Sequence, residues 1–587
     1  MTTKNRRSVS RRGFITRAGA VGAAAVALPS VLSACGGDKG ADPDIVGEDD
    51  YEPGSASPQV ELGPEIEGVN YAPEYKGPKA RELEPFGDGE TEFTVLGRTI
   101  PELDYETNYY ANLLEEKTGV KVSYQPVPLG DDGVTTVNAM LSGGDLPHAL
   151  MTGMGLFSVS QVAVYGQQGL FLPLDKLIDE HAPHIREMFE LFPDMRTNFT
   201  APDGKLYAVP SMNDCYHCKI GSVRTWYNTT WLDAVGASVP ETLEDFDALL
   251  AEWKSSSKVP DAPLVVTKSD TMMNLFTFFM GAFTEATSTH TLLRDGKIVW
   301  GPTEDAYREG MIWIQEQFAK GHFSKDIMSL TAEQLQRLGD DPEGPQLGVV
   351  YGNSQGDFAS SVDFKDPKGV GSVMKPLPPM EGPSGVRTVD WAWNQVGSPN
   401  FVITNSCPDP VQMIRWADYQ FELTLTISMG RGEQGKGWDF ADTDLTGIDG
   451  EQALYEVLDA GEDVANQGWW EWGPFFKSQD QRHGEAVTPD SGSVEPSLYE
   501  AGVAYEPYQI PKDLVVPTMA YDMEQSAQIG ELETNVVQHL QQTYAALATG
   551  SSDMTKDADW QAYVEKAKTV GVDSLVQIYQ EAYDNQA

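Results

Sequence analysis

Basic residues are in short supply: the 587-residue chain has 41 Lys and Arg against 88 Asp and Glu, a formal charge of −47. A surface of that sign repels phosphate backbones and anionic headgroups. It excludes nucleic acid as a partner and gives the folded body no electrostatic affinity for a membrane. Cysteine is scarcer still, at four residues. That is too few for a disulfide scaffold, and no second Cys pair or closely spaced His completes a four-ligand zinc site. The chain has no apolar run long enough for a stable bilayer span, no internal repeat and no H-E-x-x-H signature. Gly and Pro, at 56 and 37, are numerous enough for many loops and too few for a disordered or collagen-like chain.

What is present begins at the N-terminus. Every charged residue before position 35 is basic: Lys4, Arg6, Arg7, Arg11, Arg12 and Arg17. An Ala/Gly-rich apolar stretch follows from Ala18 to Val31, then Leu32-Ser33-Ala34-Cys35. This order of basic, apolar and small residues is that of a secretory signal peptide, expected over residues 1–34. Ser10-Arg11-Arg12-Gly13-Phe14-Ile15 resembles the twin-arginine export motif, and Leu32–Cys35 resembles a lipobox in which Cys35 carries the lipid. From Gly36 to Glu92 there are 16 acidic and four basic residues with repeated Gly and Pro. Residues 35–91 are therefore expected to form a lipid anchor and a flexible acidic linker.

Beyond the linker the pattern alternates. Thr91–Leu96 reads as a strand, Asn108–Lys117 as a helix stopped by Gly119, Val120–Pro126 as a strand, Thr135–Leu141 as a helix and Ala149–Thr152 as a buried strand. That order predicts an α/β fold with a parallel sheet, whose ligands sit beyond the carboxyl ends of the strands. It directs attention to the loops Gly97–Pro101 and Gly153–Phe157, hence to Arg98 and Met154. Further helices are predicted over Thr242–Trp253, Glu304–Lys320 and Pro410–Phe421, and as a pair split near Gly571. Further strands are predicted over Gln346–Gly352 and Asn400–Thr404.

Several strings carry a resemblance: Leu113–Val122 (LLEEKTGVKV), Leu141–Pro147 (LSGGDLP), Tyr165–Leu174 (YGQQGLFLPL), Ala201–Pro210 (APDGKLYAVP) and Tyr227–Leu243 (YNTTWLDAVGASVPETL). They look like extracellular solute-binding proteins, family 1. Cys215–Cys218 (CYHC), Gly382–Arg387 (GPSGVR) and Tyr579–Tyr583 (YQEAY) narrow the likeness to the large LipO-type lipoproteins. The resemblance implies a periplasmic-binding-protein-like fold, two hinge-linked α/β lobes with a cleft between them. It implies lobe 1 over 92–219 and 353–400, and lobe 2 over 220–352 and 401–587, with crossings near Lys219–Tyr227, Tyr351–Gly356 and Val389–Phe401. It also implies an oligosaccharide ligand, an ABC importer's permease subunits as partners, a monomer tethered to the membrane only through lipid, no cofactor and no enzymatic step. A peptide or other non-sugar solute, or an exported glycoside hydrolase, are the other readings. The hydrolase would need two carboxylates about 5–9.5 Å apart across a cleft.

Sugar sites need flat apolar faces and orienting polar groups. Two Trp clusters have that composition, Asp390-Trp391-Ala392-Trp393-Asn394 and Gly468-Trp469-Trp470-Glu471-Trp472-Gly473. Buried packing is the other reading of each. Trp391, Trp393, Trp469 and Trp472 join Arg98, Met154, Tyr216, His217, Tyr351 and Asn353 as expected ligand-binding residues. In an exported protein Cys215 and Cys218 read most plainly as a disulfide, with free thiols or a metal or redox pair as alternatives. Gly430–Gly435 has dinucleotide-loop spacing, but a helical segment precedes it and Glu433 would face a pyrophosphate. Asp442 and Asp444 open a calcium-like loop whose twelfth position is Ala453 instead of a bidentate Glu.

Overall fold

The computed structural model describes residues 43–47, 51–100, 103–128, 130–153, 156–393, 397–458, 466–469, 471–488, 493–519, 521 and 523–586. The signal peptide, the lipobox with Cys35, and Met154 lie outside that set. The strands are β1 (Glu92–Thr99), β2 (Lys121–Pro128), β3 (Ala149–Met151), β4 (Val209–Asn213), β5 (Thr225–Asn228), β6 (Val265–Val266), β7 (Thr291–Arg294), β8 (Lys297–Trp300), β9 (Val349–Tyr351), β10 (Met374–Pro376), β11 (Gly397–Ile403), β12 (Trp438–Phe440), β13 (Tyr455–Val457) and β14 (Phe476–Lys477). They form a six-stranded sheet in the order β14-β4-β11-β3-β1-β2, a four-stranded sheet in the order β10-β5-β9-β6, and the two-stranded pairs β7-β8 and β12-β13.

Local chemistry accounts for the first elements. In β1, Phe93 and Val95 enter one apolar cluster while Leu96 enters the cluster on the opposite face. β2 tolerates Pro126 and Pro128 because it is an edge strand, where a missing N–H breaks no ladder. The helix Tyr109–Thr118 starts at Asn108, whose side chain accepts the Ala111 N–H, and stops at Gly119 with φ 70°. Thr242 and Asp245 form the reciprocal cap of the helix Leu243–Ser255.

β1, β2 and β3 are parallel, as the alternation predicts, but β11 runs antiparallel to β3 and to β4. The reason is connectivity. β4 leads out toward the second sheet, and β11 brings the chain back over the same edge in the opposite sense.

Each sheet has its own core. Phe93, Val95, Tyr110, Phe401, Trp416, Trp469, Trp472 and Phe476 share one. Trp226, Trp253, Phe276, Val349, Met374, Trp391, Tyr505 and Trp560 share the other. Lobe 1 thus uses the chain up to Asn213 and again from Gly397 to about residue 485; lobe 2 uses Ile220–Trp391 and the chain from Glu495 onward. The expected lobe 1 return over 353–400 is corrected, because Phe358, Val370, Met374, Leu377 and Met380 are buried in the second core and β10 pairs with β5. The assignment of all of 401–587 to lobe 2 is corrected likewise, because β11, Trp416, Trp469 and β14 build lobe 1.

The expected flexible linker also differs over residues 51–91, which strap lobe 1. Tyr51 Oη donates to Asp179 at 2.9 Å and the Gly54 N–H to the same carboxylate at 2.5 Å. Arg81 reaches Glu187 at 2.8 Å, and its backbone N–H donates to the buried Glu422 at 3.0 Å. Ala80 is buried against Leu423, Ile427 and Trp438. The strap has almost no regular structure, yet lobe 1 supplies partners for its backbone groups. That replaces the cooperative packing the acidic composition lacks.

Candidate functional site

The crossings leave each sheet from one edge. In lobe 1 that edge carries the carboxyl ends of β1, β3, β4 and β14 and the start of β11. In lobe 2 it carries the start of β5 and the ends of β6, β9 and β10. The first crossing is Asp214–Arg224 and the second follows Trp393. The third runs between Lys477 and Glu495, so the crossing expected at Tyr351–Gly356 is instead a loop within lobe 2.

The first crossing is stiffened covalently. Cys215 and Cys218 are joined by a disulfide with Cα atoms 5.1 Å apart, at the head of a short 3-10 turn His217–Ile220. His217 is a third potential ligand atom nearby, but the disulfide occupies both sulfurs. The ring of His217 is buried, with Nε2 2.9 Å from Glu495 on lobe 2's helix Glu495–Tyr505. Burial lowers its pKa despite Glu495. Arg224 donates to the backbone carbonyls of His217 and Asn353.

An ionic network continues from Glu495 into lobe 1. Arg482 Nη2 lies 3.1 Å from Glu495, and its Nη1 donates to Asn213 at 3.1 Å and sits 3.7 Å from Glu471. Lys477 pairs with Glu471 at 3.0 Å, and Asn213 donates to Glu471 at 3.2 Å. Burial opposes ionisation of Glu471 and Glu495, but the neighbouring cations prevail and hold both pKa values below the usual carboxylate range. The network joins the first and third crossings.

The expected ligand residues divide. Tyr216, Trp391 and Trp393 cluster beside the disulfide turn, with ring centroids 5.9 and 6.3 Å apart in succession. Trp393 is half-buried and donates to the Ile510 carbonyl at 2.8 Å, whereas Trp391 is buried. Tyr351, at the end of β9, donates to the Gly221 carbonyl at 2.8 Å and lies 3.1 Å from the exposed Asn353. Trp469 and Trp472 are core rings, not open faces. Trp469 is 0% exposed and packs edge-on against Tyr110 at 4.7 Å, and Trp472 is 4% exposed. The loop closes over Gly153 after β3: a Cβ there would stand 2.6 Å from the Glu471 carbonyl, so glycine admits that approach. Arg98, at the end of β1, is 2% exposed; burial lowers its pKa.

Two features escaped sequence reading. Asp390 is buried, accepts from Ser222 at 2.9 Å and from the Ser288 N–H at 2.8 Å, and burial raises its pKa. Gly352-Asn353-Ser354-Gln355-Gly356 has G-x-S-x-G spacing after a strand, the signature of a nucleophile elbow. Its backbone is otherwise: Ser354 is extended, with φ −147° and ψ 176°, and its Oγ accepts the Gly356 N–H to cap a turn. Among the described residues, no group of three His, Cys, Asp or Glu ligands gathers around Asp442 and Asp444.

Residues 97–333 match the family model for the bacterial extracellular solute-binding protein. That match covers less than half of the chain. A fructooligosaccharide ABC transporter substrate-binding protein, FusA of Streptococcus pneumoniae, is 25% identical over 335 residues, 55% of this chain and 59% of that relative's length. The structure of S. pneumoniae FusA in complex with kestose superposes with a TM-score of 0.68 at 20% identity, covering 84% of this chain and 99% of that one. An "HMO binding" ABC-transporter-associated solute-binding protein from Bifidobacterium longum infantis gives 0.66 at 20% identity, covering 85% and 99%. The chain therefore has the two-lobed fold of these solved structures.

Proposed function

We propose that this protein is a solute-binding protein, an exported lipoprotein that captures an oligosaccharide between its lobes and delivers it to an ABC importer, acting as a monomer. The observation that carries the reading is the pair of sheet edges joined by three crossings, which is the geometry hinge closure around a ligand requires. The sugar class is supported by the names of its relatives, a fructooligosaccharide carrier and a kestose complex. The edge groups suit saccharide hydroxyls, with the amides of Asn213 and Asn353, the Tyr351 hydroxyl and the half-buried Trp393 ring. Tyr216 and His217 act as hinge residues that set where those groups stand.

A panel of kestose, xylotetraose and mannotetraose, with a tripeptide mixture as comparator, tests the ligand class. At least one saccharide should raise the melting temperature in a dose-dependent way and come back uncleaved. Stabilisation by peptides alone would establish the non-sugar reading, and cleavage products would establish the hydrolase.

Anchoring rests on Leu32–Cys35 and export on Arg11-Arg12. Cys35→Ser should move the protein from the membrane fraction to the soluble one, and Arg11→Lys with Arg12→Lys should retain it inside the cell. A Cys35→Ser protein that stays membrane-bound overturns the lipid anchor. Normal export of the Lys pair overturns the twin-arginine route.

A further inference from the structure

The turn at the first crossing holds more ligand chemistry than its disulfide uses. Among the described residues, Cys215, His217 and Cys218 form a group whose sulfur and ring-nitrogen atoms lie within 4.8 Å of one another. His217 is 1% exposed, and its Nδ1 is sealed from solvent with no hydrogen-bond partner. Burying a ring nitrogen without a partner is costly, so a fold keeps one where a partner arrives from outside. The other nitrogen, Nε2, lies 2.9 Å from the Glu495 carboxylate. One ring nitrogen on a carboxylate and the other unfilled beside two sulfurs is the arrangement of a metal-bound histidine, in which the carboxylate fixes tautomer and ring orientation.

The turn has other bonds to keep its shape without the S–S link. The Cys218 N–H donates to the Cys215 carbonyl at 3.2 Å, the Gly221 N–H to the Cys218 carbonyl at 2.9 Å, and Arg224 to the His217 carbonyl. The Cys218 N–H also lies 3.1 Å from Cys215 Sγ, where a thiolate, as a charged acceptor, is a better partner than a disulfide sulfur. Cys215 is buried and Cys218 exposed, so an ion enters at Cys218 and keeps a solvent position there. Two thiolates, a neutral imidazole and a divalent ion sum to zero charge, which removes the cost of burying Cys215 as an anion. Zinc suits this set, because thiolate and imidazole are its usual donors and a water completes four-coordination.

We propose that the dithiol form of this turn is a zinc site, with Cys215, Cys218 and His217 Nδ1 as protein ligands and Glu495 as the group that orients the ring. Cysteines are thiols in the cytosol, and a twin-arginine passenger crosses the membrane already folded, so the site holds zinc before export and releases it afterwards. The exchange balances: the disulfide of an oxidant outside the membrane takes up two electrons and two protons to become thiols, the Cys215–Cys218 bond forms, and zinc leaves. That order of events rests on the twin-arginine reading above; the site itself does not.

The test takes Cys35→Ser protein, reduced with a phosphine and desalted without oxygen, beside the same protein left oxidised. The reduced protein should retain a single zinc ion per chain through gel filtration and melt higher as zinc is added. With cobalt in place of zinc it should show thiolate-to-metal charge-transfer absorption that the oxidised protein lacks. Glu495→Gln should weaken zinc binding by about 10- to 100-fold, and His217→Ala by at least as much. The melting temperatures of the oxidised variants check their folding, and the cobalt spectrum of the unsubstituted turn decides the site if a variant fails to fold. Cys407→Ser should alter none of these readouts. Reduced protein that holds no zinc, or cobalt bound without the charge-transfer band, overturns the site. Zinc held equally by the oxidised protein overturns it too, assigning the ion to surface carboxylates, as does unchanged affinity in His217→Ala. The Arg11→Lys, Arg12→Lys protein retained in the cell should purify with zinc, and exported wild type with the disulfide and no zinc. Zinc in both or in neither overturns the order of events and leaves the site standing, whereas export of the Lys pair rejects the twin-arginine reading and the order that rests on it.

Discussion

Replacing Arg482 with Met should destabilise the protein by about 3–5 kcal/mol, the usual cost of removing one partner from a buried ion pair. The side chains of Arg482 and Glu495 are only 13% and 16% exposed. Without Arg482, Glu495 keeps His217 as its nearby partner, and Glu471 keeps Lys477 and the Asn213 amide. The sign of the pH dependence follows from Glu495. Its folded pKa lies well below the usual value, chiefly through Arg482 acting against burial, so its stabilisation is present above the unfolded carboxylate pKa, about 4.3. That stabilisation is lost as pH falls through the depressed folded value. In Arg482→Met the depression is reduced, with His217 and Arg431 still lowering the value. The gap between wild type and variant, measured by urea unfolding, should therefore be widest near neutral pH and narrow below about pH 4. A gap independent of pH would mean that Arg482 contributes through packing alone.

Trp469→Ala should be a folding variant before it is anything else. The ring is fully buried and touches Tyr105, Tyr110, Tyr124 and Trp416, with centroids 4.7 to 6.5 Å away. Truncating a core Trp leaves a large cavity and costs about 3–5 kcal/mol. Trp469→Phe should recover most of the loss while leaving ligand affinity unchanged. Trp393→Ala provides the contrast, since that ring is half-buried at the crossing. A Trp469→Ala protein that melts like wild type would show that the ring is not a core element.

The contrast between these Trp residues marks how far the sequence could be read. Periodicity and caps located β1, β2, the helix after Asn108 and the Thr242–Asp245 cap, because those signals are local. Lobe membership is not local. Residues 353–391 carry the same mixture of short apolar runs and loops as either lobe, and it takes their burial in the second core and the pairing of β10 with β5 to assign them. Trp clusters look alike whether they line a cleft or fill a core, and burial alone separates Trp393 from Trp469. The helix Met523–Thr549 escaped notice for a related reason: its 27 residues are rich in Gln, Glu, Thr and Ala, so its apolar stripe is thin. Arg98 was legible as a cation beside the first loop; that its Nε and Nη1 are buried without a hydrogen-bond partner was not.

The strap formed by residues 51–91 determines where a mechanical load enters the molecule. Its contacts, from Tyr51–Asp179 through Arg81–Glu187 to Lys76 on Asp480, all lie on lobe 1. A pull applied at the N-terminus passes into lobe 1 before it reaches the disulfide turn. Under the proposed anchoring and hinge closure, lobe 1 would be the stator and lobe 2 the rotor, the second lobe swinging while the strapped one holds its bearing.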